Sequence, residues 1–207
     1  MIEPPFGDVD AARVTAFHDE RLADPAWPAT AAVRFPEPGL WESIEANHRN
    51  NNLLWLEEDL ARRRHAPDAE IAANKRHIDR FNQARNDAIE RVDEHLLSRL
   101  FGRELHAQAR LNSETAGSIV DRLSITSLKI RAMAEQTKRT DVDASHVEAC
   151  AAKLARLREQ RADLSSCLDA LLTEAAAGAA RWKIYRQFKM YNDPRLNPQV
   201  YGEKPRG

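Results

Sequence analysis

Apolar residues recur on three- and four-residue steps over most of the chain, the spacing that gathers side chains on one face of an α-helix. A short first helix is expected from about Asp8 to Ala23. The prolines between Pro25 and Pro38 then break regular structure, since proline removes a donor and disfavours helix in the residue before it. Residues 1–38 therefore read as a helix and arm packed on a body formed by residues 39–207, one domain overall.

The pattern is helical from Leu40 to Arg64, and His65-Ala66-Pro67-Asp68 supplies a stop, a turn and an N-cap. A third helix is expected from about Ala69 to Phe101, and a fourth from the Ser113-Glu114-Thr115 cap to about Lys138. A fifth runs from the Asp143 cap to about Ala177, where Gly178 interrupts it. Beyond it, Arg181 to Met190 fits one more short helix with an aromatic face, which reads as a cap on the bundle, followed by an extended tail. The expected fold is all-α: an antiparallel helical bundle of four long helices with a short N-terminal helix and arm and a short C-terminal helix.

Composition agrees with long helices: seven glycines, and 30% charged residues in 207. The formal charge of −1 gives no broad electrostatic reason to bind nucleic acid or an anionic membrane. The opening Met1-Ile2-Glu3-Pro4-Pro5 lacks the basic and apolar regions of a signal peptide, and no run reaches ~18 apolar residues. A soluble, cytoplasmic protein is expected. Cys150 and Cys167 sit 17 residues apart on one expected helix, roughly 25 Å at 1.5 Å per residue, too far to bridge.

Polar residues interrupt the faces that should be dry. On the fifth helix Val147, Cys150, Leu154, Leu157, Leu164, Leu168 and Leu171 define a seam, and Arg161 takes its middle step. On the third, Asn82 and Arg85 interrupt Ile78, Phe81, Ile89, Val92 and Leu96. The fourth is apolar nearly all round, through Ile119, Val120, Leu123, Ile125, Leu128 and Ile130, yet holds Asp121, Arg122 and Lys129. On the second, His48, Asn51 and Trp55 share a face with Ile44, and Asp59 lies four beyond Trp55.

Antiparallel helices joined by a short turn hold residues equidistant from the turn at similar depth. Reflection about position 140 sets Asp121 beside Arg161, and reflection about 66 sets Asp59 near Lys75 and His48 near Arg85. One reading is a set of ion pairs that fixes register and does nothing else. The other is an interhelical pocket in which Arg85, Arg161 and Lys129 contact an anion, since Arg offers a planar fork of donors to phosphate or carboxylate. Asn82, Trp55 and His48 would line it. Asp59 and Asp121, with Glu58, would orient the cations, bind a metal, or serve as acid and base; spacing does not choose among these, and no cofactor is specified.

Other chemistries are weaker. Glu42/Glu45 with Glu90/Asp93 have the spacing of a metal-dependent all-α nucleotide pyrophosphohydrolase, but short acidic pairs arise by chance in so charged a chain. The seven histidines are scattered and neither cysteine has a partner at zinc-ligand spacing, so no metal site is assigned. Ser124 and Cys167 have no histidine base close in sequence and read as small packing residues.

Four stretches in order carry a resemblance: His48-Arg49 with Leu54-Trp55-Leu56-Glu57-Glu58-Asp59; Lys75-Arg76-His77-Ile78-Asp79 with Asn82-Gln83 and Arg85-Asn86-Asp87; Glu114 to Ile125 with Leu128-Lys129-Ile130; and Gln187 to Pro194. Over about Trp41 to Tyr201 the chain resembles the bacterial domain-of-unknown-function family four-two-five-four. That resemblance implies a setting among glycosyltransferases and other proteins of surface-polysaccharide assembly, and it implies no catalytic roles. Together these readings lead to the expectation of a cytoplasmic bundle that binds, or turns over, an anionic small molecule such as a sugar-phosphate or nucleotide-sugar. The competing expectation is a non-catalytic scaffold, either a homodimer or a partner of a glycosyltransferase.

Overall fold

A computed structural model describes residues 5–186, 190 and 193–202. The chain is mostly helical. Its elements are α1 (Ala11–Ala23), α2 (Leu40–Ala61), α3 (Asp68–Ser98), β1 (Arg110–Leu111), α4 (Ala116–Gln136), α5 (Ala144–Ala176), β2 (Ala180–Arg181) and α6 (Pro198–Tyr201).

Capping sets several helix starts. Asp10, Thr115 and Asp143 each accept a hydrogen bond from a backbone N–H of the first turn, satisfying a donor that the helix leaves free. Thr115, not Ser113, caps α4, and Asp68 is the first residue of α3, with Pro67 before it and no side-chain cap. The fifth helix stops where expected: Gly178 takes φ +74, and a Cβ there would meet the Glu104 carbonyl oxygen at 2.5 Å.

From Arg181 to Arg186 the aromatic segment after Gly178 is not a helix. Residues 180–181 run extended and parallel to Arg110–Leu111, held by Arg110 N–H on the Ala179 carbonyl and Asn112 N–H on the Arg181 carbonyl, both 2.8 Å. Those bonds, with burial of Trp182 in the core, outweigh the helical periodicity that predicts a helix from Arg181. Residues 187–189 and 191–192 of that expected helix and motif lie outside the described residues. A short C-terminal helix does occur, at Pro198–Tyr201, capped by Asn197.

α4 is the hub, touching α1, α2, α3 and α5. Its burial is nearly all round between Ala116 and Ile130, as its apolar circumference predicts. Arg122 and Lys129 depart from that expectation: both are exposed, with Arg122 turned outward to Glu114 at 2.8 Å. α2 runs against α3, shown by Asn74 and His77 on Glu57 at 2.7 and 3.0 Å. α5 runs against α4, shown by Arg161 on Ser127 and His146 on Gln136, both 3.4 Å. The core joins Val14 and Phe17 of α1, Ile44 of α2, Leu96 of α3, Ile119 and Leu123 of α4, and Leu168 and Leu171 of α5. Full burial of each such side chain stabilises by roughly 1.5–3 kcal/mol.

α1 lies along α4 and against α5, its start fixed by Ala11 N–H on Asp169 at 2.8 Å and its second half by Asp19 on Arg161. The chain then turns at Trp27, which with Leu22 and Ala31 packs against Leu128 and Trp55. The arm is fastened to α2 by Glu45, which accepts the Arg34 and Phe35 backbone N–H groups at 2.8 and 3.0 Å. Past that turn, the far ends of α4 and α5 extend beyond the cover of α1.

Candidate functional site

The polar cluster centres on Asp121, in the buried first half of α4. Its Oδ1 accepts hydrogen bonds from Asn47 and Asn51 Nδ2, each at 2.8 Å, and lies 4.0 Å from Arg85 Nε. Asn47 and Asn51 are four apart on α2, so both amides reach one carboxylate, and Asn51 also donates to Ser124 Oγ at 3.0 Å. Two neutral donors and one nearby guanidinium let a carboxylate remain in the interior.

Arg85 stands between this buried network and a cleft of about 520 Å³ formed by α2, α3 and α4. The cleft is lined by Asn51, Trp55, Glu58, Asp59, Asn82 and Arg85, with Leu54, Arg62, Ile78, Ile125 and Leu128. Arg85 Nη2 donates to Asn86 at 3.2 Å, while its buried Nε makes no hydrogen bond. Arg62 is spent on Glu58 at 2.7 Å. The side chain of Arg85 is a quarter exposed, so an oxyanion in the cleft can reach it.

The structure thus brings Arg85, Asn82, Trp55, Asp59 and Glu58 to one cleft, with Asp121 behind Arg85. It separates the other expected members. Arg161 does not meet Asp121; it pairs with Asp19 of α1 at 2.8 Å. Lys129 lines a different cleft, beyond Trp55. Lys75 pairs with Asp79 one turn along α3 and makes no ion pair with Asp59.

His48 faces away from Arg85. Its Nδ1 pairs with Ser124 Oγ at 2.8 Å, and its ring lies between His18, at 4.4 Å, and Trp27, at 5.4 Å. Arg21 and Arg49 each place a guanidinium 4.4 Å from the Trp27 ring centre. Burial pushes the His48 ring down to about 3 and holds His18 well below its ordinary value, so both are neutral packing residues at neutral pH.

The carboxylates of the metal-dependent reading do not converge. Glu45 faces the arm, with Arg21 at 3.2 Å; Glu90 pairs with Arg186; Asp93 accepts the Gly117 N–H at 2.8 Å. Among the described residues no group of three or more His, Cys, Asp or Glu could hold a metal ion. Burial raises the Asp93 carboxyl to about 6, against the hydrogen bonds from Thr115 and Gly117 that favour its ionised form. Cys150 is buried and Cys167 exposed, both free.

Sequence reasoning missed Asn47 and Ser124 as members of the network and Arg62 as a cleft residue. The one-turn spacing of Asn47 and Asn51 was the available signal, and it was masked by the other polar residues around them, His48, Arg49, Asn50 and Asn52. Among the described residues, no helix is long and apolar enough to cross a membrane.

No curated protein and no solved structure matches the chain. A family model described as "Protein of unknown function (DUF4254)" matches residues 41–184, which covers α2 to α5 with Arg85, Asp121 and the cleft around them. That match spans well over half of the 207 residues, and the chain belongs to the DUF4254 family.

Proposed function

We propose that the cleft between α2, α3 and α4 binds an anionic, phosphorylated small molecule, with Arg85 as its principal anion contact. The observation that carries this reading is the unfinished coordination of Arg85. Its Nε is buried without a hydrogen bond, its nearest carboxylate oxygen is 4.0 Å away, and that oxygen already accepts from two asparagines. A guanidinium in this state gains charge-assisted hydrogen bonds from a phosphate that it does not make with Asp121.

Trp55 supplies a flat apolar wall, and Asn82 and Asp59 supply polar groups for hydroxyls, so a sugar-phosphate or nucleotide-sugar suits the lining. In this reading the four long helices act as one antiparallel bundle in a single domain. The α2–α3 hairpin and α4 form the cleft walls, and the protein works in the cytoplasm within surface-polysaccharide assembly. Asp59, exposed at the cleft, is the better placed general acid or base; Asp121, behind Arg85, holds the cation in place.

The test is a thermal-shift and calorimetric screen with pyrophosphate, sugar phosphates and nucleotide sugars on the parent, Arg85→Ala and Arg161→Ala. The reading expects a ligand that raises the melting temperature of the parent and of Arg161→Ala but not of Arg85→Ala. Absence of any shift across these anions would overturn it and favour the scaffold reading.

A further inference from the structure

Where α1 ends and the arm turns back at Trp27, the groove between α2, α4 and α5 continues uncovered as a second cleft of about 540 Å³. Its walls are Trp55, Ala132, Met133 and Leu157. Its rim carries Lys129, Lys153 and Arg156, with Gln136 and Gln160 between them and Asp59 as the single carboxylate.

On α4 and α5, cations without an ion pair among the described residues occur in this cleft and also outside it, at Arg131 and Arg158; what distinguishes the cleft is that three of them line one concave space. Arg122, Arg139 and Arg161 on or beside α4 and α5 are each paired with a carboxylate within 3 Å. Lys129, Lys153 and Arg156 make no ion pair among the described residues, and they converge over apolar walls. Three cations against one carboxylate leave an excess of positive charge, and the volume lies within the roughly 300–1,000 Å³ of small-molecule sites. The same seam shows what answers such a cation: one turn further along α5, Arg161 is met by Asp19 of α1, whose helix covers the groove there.

We propose that this second cleft binds an amphipathic anion, its apolar body against Trp55, Met133 and Leu157 and its anionic head at Lys153, Arg156 and Lys129. The site is separate from the Arg85 cleft, although Trp55 and Asp59 border both. It takes a single-chain acyl or aryl acid rather than a hydrophilic phosphate ester, because Trp55, Ala132, Met133 and Leu157 give an apolar body more contact than Gln136, Gln160 and Asp59 give to sugar hydroxyls.

The test is isothermal calorimetry of the full chain with decanoate below its micelle concentration, alongside acetate, which has the head alone, and decyltrimethylammonium, which has a like chain with the opposite charge. The expected result is one site for decanoate and none for the other two. Lys153→Glu with Arg156→Glu should weaken decanoate by about tenfold or more. Both positions are exposed, so folding is not at stake, and circular dichroism verifies it. Arg85→Ala should leave decanoate unchanged, which separates this site from the phosphate site. Equal binding of the cationic chain, no binding of decanoate, or loss in Arg85→Ala but not in the double variant would each overturn the proposal.

Discussion

His18 of α1 and His48 of α2 lie ring on ring, with centroids 4.4 Å apart and planes 25° apart, both without solvent exposure. The cations Arg21 and Arg49 stand over Trp27, and Arg161 bears on His18; Glu45, on Arg21, and Asp19, on Arg161, are carboxylates beside them. A proton on either ring would be buried beside these positive charges. The folded state therefore resists protonation that the unfolded chain accepts below about pH 6.5.

The sign is that of a base with a depressed folded pKa: the stabilisation is full above about 6.5 and is lost as pH falls toward about 3. His48 alone accounts for a loss on the order of 3 kcal/mol between pH 6.5 and 4. Neither nitrogen of His18 has a hydrogen-bond partner, so His18→Phe should fold and show a shallower acid slope in urea titrations. An unchanged slope would show that His18 is not one of the titrating groups.

Asp93 works in the opposite direction. Its carboxyl is raised to about 6 by burial, so it stabilises when protonated and that contribution is lost as pH rises from about 4 through 6. Asp93→Asn retains an acceptor for the Gly117 N–H. The variant should gain on the parent by roughly 3 kcal/mol between pH 4 and 7, read as the difference of the two stability curves. A constant difference across that range would refute the raised value.

Gly117 sits where α4 passes close against α3. A Cβ there would meet the Ile89 carbonyl oxygen at 2.5 Å and Asp93 Oδ2 at 2.9 Å. The first contact is backbone and cannot swing aside. Gly117→Ala should cost about 2–3 kcal/mol and lower the melting temperature by roughly 5–10 °C, despite the better helix propensity of alanine.

Depth along the helices was legible in the sequence close to the turns, and azimuth was not. Reflection about 66 matches the observed Glu57 contacts with Asn74 and His77, and reflection about 140 matches Gln136 with His146. Yet Arg161 lies at the depth of Ser127, further along α4 than Asp121, because α4 and α5 pair about a point beyond 140. It also turns toward Asp19, and His48 toward His18, because α1 and the arm compete for faces that a hairpin-by-hairpin reading leaves to the long helices. Trp55, Asn82, Arg85 and Asp59 were found together because they share one side of α2 and α3. The extended course of residues 180–181 was hidden, since its hydrogen bonds go to residues 110–112, far away in sequence.

Arg161 interrupts the α5 seam without being sealed in it. Its side chain is 23% exposed and Asp19 is 49% exposed, so the pair is close to a surface ion pair, worth about 0–1 kcal/mol. Arg161→Leu should change stability by no more than about 1 kcal/mol in denaturant melts and leave anion binding in the Arg85 cleft intact. A loss of binding there would place Arg161 in the site after all.

Asp121 and Arg85 separate structure from function, because they touch the same cluster from opposite sides. Asp121 is the acceptor for Asn47 and Asn51, both buried, so Asp121→Ala strands two amide donors and leaves Arg85 without its nearest carboxylate. The expected cost is about 2–4 kcal/mol. Arg85→Met removes the guanidinium and keeps much of its length. The two asparagine bonds to Asp121 survive, so stability should move by about 1 kcal/mol or less while phosphate binding is lost. If Arg85→Met were instead as destabilising as Asp121→Ala, the guanidinium would be the counter-ion that keeps Asp121 buried, and the cluster would be a structural ion pair with a cleft beside it.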